Sequence, residues 1–353
     1  MSKTLSTRPL GRSGLQITRV GFGSWAVGGG GWSFGWGPQD DGDSLATMRH
    51  AIERGVNWID TAAVYGLGRF EELVGRLVRD LPPAERPLIF TKCGMVWDER
   101  DPMAPPRQVL KPDSIRRECE ASLRRLGVQR IDLYQFHWPD ETGTFLEDSW
   151  ATMIELVDEG KVRAAGVSNF DTKLLARCEA LRHVDSLQPP FSLINRAAGK
   201  REIPWCAGHD PGVIVYSPMQ SGLLTDTFSA QRAAGLAPDD WRHGAPDFRR
   251  PRLGHNLALR DALRPIAARH DTSVSSIAIA WTLAWPGVTG AIVGARTPEQ
   301  VDGWIGAAAI ALTPEDEGEI QAAIGRTRAG TGPVRAVDPP RFRRKPTRDH
   351  AAR

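Results

Sequence analysis

A chain of 353 residues that is 41% hydrophobic and 25% charged has the balance of a globular protein able to bury a sizeable core, which excludes disorder as its default state. Its 45 basic residues against 42 acidic leave a net charge of +3, too even to argue for a nucleic-acid-binding surface. Four cysteines, Cys93, Cys119, Cys178 and Cys206, lack CxxC spacing, which favours reduced thiols and argues against a zinc site.

The opening stretch MSKTLSTRPLGRSG has no apolar core of a signal peptide, so no export is implied and a cytoplasmic location is expected. Within it, PLGRSGLQITRV places turn residues between two short extended pieces, predicting a small hairpin. From there short apolar runs alternate with longer segments of helical period. Strands are predicted at RVGFGS (19–24), NWID (57–60), LIFTK (88–92), IDLYQFH (131–137), RAAGVSN (163–169), SLQP (186–189), GVIVYS (212–217) and GAIVG (290–294). Helices are predicted at 44–54, 71–80, 112–126, 147–159, 172–181, 200–207, 257–270 and 273–284. Near-continuous apolar strands are buried on both faces, as in a parallel sheet covered by helices. Strand and helix alternating eight times predicts an α/β fold, a single (β/α)8 TIM barrel with an N-terminal β-hairpin capping its floor and a C-terminal extension. The barrel domain is expected over 1–330, followed by a tail at 331–353 whose basic end, RFRRKPTRDHAAR, reads as solvated and disordered, with an anion-binding arm as the alternative.

Three stretches complicate this pattern. GFGSWA at 21–26 fits a GxGxxA dinucleotide fingerprint, but that motif needs a helix to open at once, and VGGGGWSFGWGPQDDGD allows none before about Asp41. TSVSSIAIAWTLAWPGVTGAIVGA, at 272–295, is uncharged for longer than the roughly 20 residues of a membrane helix. Pro286 and Gly287 cut it, leaving a buried helix and a buried strand, and no membrane association is expected. The piece from 220 to 255, rich in Pro, Asp and Arg, reads as an excursion loop on one rim.

In such a barrel the chemistry collects at the C-terminal strand ends. Asp60, Lys92 and His137 end three successive predicted strands, with Tyr65 on the loop after the second. A phenol titrates at about 10, and a lysine cation beside it would stabilise its phenolate while a carboxylate holds the ammonium in place. A histidine at the same mouth can orient a carbonyl oxygen. Singly each residue has an ordinary alternative: a helix cap for Asp60, a rim aromatic for Tyr65, a solvated Lys92, a satisfied core histidine for His137. It is their conjunction that points to a general acid beside a developing alkoxide.

The sequence resembles the aldo-keto reductase family in WIDTAAVYGLGRFEELVGR, FTKCG, IDLYQFHWPD, GKVRAAGVSNF, QPPFSLINR, VIVYSPMQSGLLT and VGARTPEQV, in the family's order. PDFRRPRL and GTGPVRAVDPP most resemble the bacterial general stress and inositol-operon branch. The resemblance implies that Tyr65 is the general acid, tuned by Lys92 and Asp60, with His137 positioning a small carbonyl substrate. It implies that Ser168, Asn169 and Gln188 bond a nicotinamide carboxamide and Tyr216 stacks on the ring. Ser217, Met219, Ser221 and Gly222 would embrace the pyrophosphate, and Ser24, Trp25, Pro218 and Gly294 complete the expected nucleotide contacts. Arg296 and Gln300 would meet the adenosine end, implying NADPH with NADH as the alternative. Lys-Ser and Glu-Asn of many relatives are replaced here by Gly294-Ala295 and Gly303-Trp304. Trp25 and Trp138 match substrate walls, and Trp32, Trp36 and Trp97 lie on loops able to close over them. The family also supplies nucleotide-binding regulatory subunits to potassium channels, which act through protein contacts with little turnover; oligomeric state is open.

Overall fold

In the computed structural model, which describes residues 5–27 and 29–336, the turn in LGRSG closes a hairpin of β1 (Thr7–Pro9) and β2 (Gln16–Thr18). The Leu10 amide donates to the Leu15 carbonyl at 2.9 Å. Next in the chain come β3 (Val20–Gly23), β4 (Trp58–Asp60) and β5 (Leu88–Cys93), then a small ribbon of β6 (Met95–Val96) and β7 (Arg107–Gln108). β8 (Ile131–Phe136), β9 (Val162–Ser168), β10 (Ser186–Gln188), β11 (Gly212–Tyr216) and β12 (Gly290–Val293) follow. The eight long-range strands close a parallel barrel in the order β3, β4, β5, β8, β9, β10, β11, β12, with β12 returning to β3. Each coincides with a predicted strand.

Alternation along the strands divides the core in two. Trp58, Phe90, Leu133, Ala164, Ile214 and Ile292 turn inward and join Leu10, Leu15 and Ile17 of the hairpin in one buried cluster. The hairpin therefore plugs the barrel at the end opposite the Asp60 end of β4. Outward residues such as Ile59, Ile89, Tyr134, Val167, Leu187 and Val213 pack under the helices in the larger cluster. The glycines of GFGSWA serve this packing. A Cβ on Gly21 would come within 2.1 Å of the Trp58 ring, so only glycine leaves room for that indole inside the barrel. No helix opens after them beyond a single 3-10 turn at Ser24–Val27.

The helical layer starts with α1 (Asp41–Glu53), whose cap Asp40 accepts from the Gly42 and Asp43 amides. It continues with α2 (Arg69–Asp80), α3 (Pro112–Leu126), α4 (Leu146–Asp158), α5 (Thr172–Leu181) and α6 (Glu202–His209). The excursion carries the short α7 (Ala230–Ala234). Where one helix over 257–270 was expected there are two, α8 (Arg252–Ala262) and α9 (Arg264–Arg269), because Pro265 has no amide to continue the ladder. α10 (Val274–Ala284) takes the first half of the uncharged run and β12 the second. Among the described residues no helix is long and apolar enough to cross a membrane. α11 (Pro298–Asp302) and α12 (Pro314–Thr327) finish the shell. α12 escaped the periodicity count, although Thr313 and Asp316 form a capping box that announces it. The basic stretch 341–353 lies outside the described residues.

Behind β5, Glu118 on α3 accepts from the Gly94 amide at 2.8 Å and from the Ser114 hydroxyl at 3.0 Å. Burial pushes its carboxyl from 4.5 up to about 7. The folded chain thus holds this proton more tightly than the unfolded one, so stability falls as pH rises from about 4.5 through about 7. Glu118→Gln keeps an acceptor for Gly94 and offers a donor to Ser114. It is expected to stabilise the protein by about 2 kcal/mol at pH 8 and by little at pH 4, measurable by denaturant unfolding at both pH values.

Candidate active site

Parallel pairing brings the carboxyl ends of the strands to one mouth, opposite the hairpin. Register sets Gly23 beside Asp60, Asp60 beside Phe90, and Gln188 beside Ser168. Asp60 and Lys92, each less than 3% exposed, meet inside that mouth, with Lys92 Nζ donating to Asp60 Oδ1 at 2.6 Å and to the Thr61 carbonyl at 2.9 Å. The second oxygen of Asp60 accepts from Gln188 Nε2 at 2.9 Å. Burial pushes the carboxyl up and the ammonium down, and their mutual contact opposes both shifts.

Tyr65, in a tight turn after β4, lays its ring over this pair, with the ammonium 5.2 Å from the ring centroid. His137 meets the same ring edge-on at 5.6 Å and Trp25 stacks on it at 6.2 Å. The hydroxyl of Tyr65 makes no hydrogen bond within the described residues, and Lys92 spends its bonds on Asp60 and Thr61. Burial first, then the charge of Asp60 and the nearby Tyr216, raise the phenol of Tyr65 well above its ordinary value. The phenol is thus held protonated. Burial, reinforced by Lys92, holds the His137 imidazole well below its ordinary value, so that ring is neutral at neutral pH.

A second network fixes the adjoining wall. Asn169 donates to the His137 carbonyl at 3.0 Å and to Ser168 Oγ at 3.1 Å, and accepts from the Tyr216 hydroxyl at 3.0 Å. Ser168 Oγ in turn donates to the Gln188 carbonyl at 2.8 Å. Beyond Tyr216 the backbone runs through left-handed conformations at Ser217, Gln220, Ser221 and Gly222, the last with φ 98° where a side chain would be strained. Arg242, held by both oxygens of Asp240, reaches the Ser221 carbonyl and stacks over Trp36 at 4.5 Å.

These walls enclose one cavity of about 880 Å³. It is lined by Asp60, Tyr65, His137, Ser168, Asn169, Gln188, Tyr216, Ser217, Pro218, Met219, Ser221 and Gly222. Gly294, Arg296, Gln300, Trp25, Trp32, Trp36 and Trp138 complete the residues anticipated there. Lys92 lies beneath the surface under Tyr65. Ser24 is fully buried just beyond the end of β3 and is not among the residues lining the cavity. Trp97 also falls elsewhere, in a neighbouring cleft with Arg100 and Arg107.

Trp241 was not anticipated from the sequence; it stacks on Trp25 at 5.2 Å, and its backbone amide donates to the Gly35 carbonyl at 3.3 Å. Only its place in the rim excursion hinted at a role. Arg296 is also more committed than expected, donating to the Trp36 carbonyl at 3.0 Å, to Gln39 Oε1 at 2.8 Å and to the Pro38 carbonyl.

The profile of the Aldo/keto reductase family matches residues 19–324. The chain belongs to that family. Among curated relatives, this aldo/keto reductase is 32% identical to aldo-keto reductase YhdN of Bacillus subtilis over 340 residues, covering 96% of this chain and 97% of the relative. It is 33% identical over 321 residues to a protein of Escherichia coli described as an NADH-specific methylglyoxal reductase, covering 87% and 95% of the two chains. Among solved structures it is similar to the glycerol dehydrogenase AKR11B4 of Gluconobacter oxydans, with 34% identity, a TM-score of 0.82, and 93% and 97% of the two chains covered.

Proposed function

We propose that this aldo/keto reductase reduces small aldehydes or ketones to alcohols, or runs the reverse reaction, with Tyr65 as the acid or base. A nicotinamide dinucleotide bound in the cavity supplies or accepts the hydride. The observation that carries the proposal is that a protonated phenol, a neutral imidazole and a buried carboxylate–ammonium pair share one wall with the left-handed turn at 217–222. Tyr65 holds its proton until a carbonyl oxygen gains charge beside it and then releases it. His137 orients that oxygen. Asp60 and Lys92 make the floor on which the phenol rests, and Trp25 excludes water from its face. The chain's own chemistry fits the dinucleotide: a rigid amide wall at Ser168, Asn169 and Gln188, a flat phenol at Tyr216, and a turn next to Arg242 suited to an anion. Mixing the protein with each reduced nicotinamide nucleotide and a panel of carbonyls, followed at the nicotinamide absorbance, tests the proposal. No oxidation of either nucleotide with any carbonyl would overturn it.

For the cofactor we infer NADPH, on the basis of Arg232, Arg242 and Arg296 lining the same cavity. Arg296→Ala is expected to raise KM for NADPH about tenfold more than KM for NADH. An unchanged ratio of the two values would remove the inference.

A further inference from the structure

The charges around the cavity are unevenly placed. Its lining cations are Arg232, Arg242 and Arg296. Arg242 is neutralised by Asp240, with bonds at 2.9 and 2.6 Å, and Arg296 is tied to the loop at 36–39. Near the reacting groups the wall is aromatic and, among the described residues, carries one acid without an ion-pair partner. Glu141 lies four residues beyond His137, is exposed, and has its amide bonded to the Gln108 carbonyl at 3.1 Å, which brings it beside the β6–β7 ribbon and Met95. It makes no ion pair among the described residues. The other lining acids are occupied, Asp60 by Lys92 and Asp226 by the Val274 amide and Arg264. Arg100 and Arg107 line the neighbouring cleft together with Asp98 and Glu99 and make no ion pair with Glu141 among the described residues. Trp138, 37% exposed, and the indoles of Trp25 and Trp32 add electron-rich faces that attract cations and not anions.

We propose that Glu141 makes this mouth selective by charge, favouring carbonyl compounds with a cationic group remote from the reacting carbon and disfavouring those with a carboxylate. The proposal rests on the reductase function above and names its substrate class. Charge acts here through a partly screened carboxylate, so the preference belongs to binding and falls with added salt. The carbon–hydrogen bond formed and the proton delivered by Tyr65 are the same for every substrate.

Three benzaldehydes with one ether linker test it: 4-(3-trimethylammoniopropoxy)benzaldehyde, neutral 4-butoxybenzaldehyde and 4-(3-carboxypropoxy)benzaldehyde. Their carbonyls are electronically matched, so the ratio of kcat/KM values isolates the distant charge. At low ionic strength the cationic compound is expected to exceed the anionic one about tenfold, mainly through KM, and the ratio should shrink about threefold or more in 0.5 M salt. Glu141→Gln should lower the same ratio at least about threefold, each protein serving as its own reference. Equal values for the two charged aldehydes, or a ratio that Glu141→Gln leaves intact, would overturn the proposal. No turnover of the neutral ether or of either charged one would count against the reductase reading instead.

Discussion

Tyr65→Phe is expected to lower kcat for reduction of a simple aromatic aldehyde by about 10² to 10⁴ while nucleotide affinity stays within about twofold, since a positioned proton donor contributes on that scale. The substitution keeps every ring contact that packs this position. Lys92 stays beneath the ring, 5.2 Å from its centroid, with His137 at its edge and Trp25 stacked upon it. Only the hydroxyl is lost, and it bonds to nothing within the described residues, so stability should barely change. Nucleotide titration by tryptophan fluorescence, set beside turnover, separates lost chemistry from lost binding. Turnover within tenfold of the parent would remove Tyr65 from its role. The raised phenol gives the pH dependence its sign. Tyr65 remains protonated through neutrality and His137 remains neutral, so reduction should be flat between about pH 6 and 9. Alcohol oxidation, which needs the proton removed, should rise with pH across the same window.

Lys92→Met should have the largest effect on folding. It leaves Asp60 buried without its ammonium and with only Gln188 as donor. Breaking such a pair costs about 3–5 kcal/mol, because one charge stays uncompensated in an interior that hydrates it poorly. Activity should fall by at least about 10² together with stability, as the floor under Tyr65 is rebuilt around a protonated carboxyl. The double variant Asp60→Asn/Lys92→Met removes both charges, so it should recover much of the stability and none of the activity. Such non-additivity marks the two residues as one unit, and chemical denaturation of the four proteins in the cycle measures it. If the double variant loses the sum of the single losses, the pair is not coupled in the way its 2.6 Å contact indicates.

The sequence carried the barrel because its signals were local and repeated. Each buried strand reads as a short apolar run, and Asp60, Lys92 and His137 stand at strand ends that parallel pairing must bring together. What escaped depended on contacts between distant segments. Trp241 reaches the mouth only because the rim excursion folds back on Gly35 and Trp25, a pairing that no periodicity announces. Gly21 matched a phosphate-loop pattern while serving to admit the Trp58 indole. The partners of Lys92 were hidden for a related reason: residue types alone place an ammonium near a phenol, but only geometry shows it bonded to Asp60 and Thr61. Ser24 and Trp97 fall outside the cavity through the local turn of the chain after β3 and β6.

The most direct test is a crystal structure of the protein with a nicotinamide dinucleotide and a carbonyl ligand that cannot be reduced. The account predicts the ligand's carbonyl oxygen within about 2.6–3.2 Å of the Tyr65 hydroxyl, with His137 as its second neighbour. A carbonyl oxygen seated against other groups, with Tyr65 turned from it, would contradict the account.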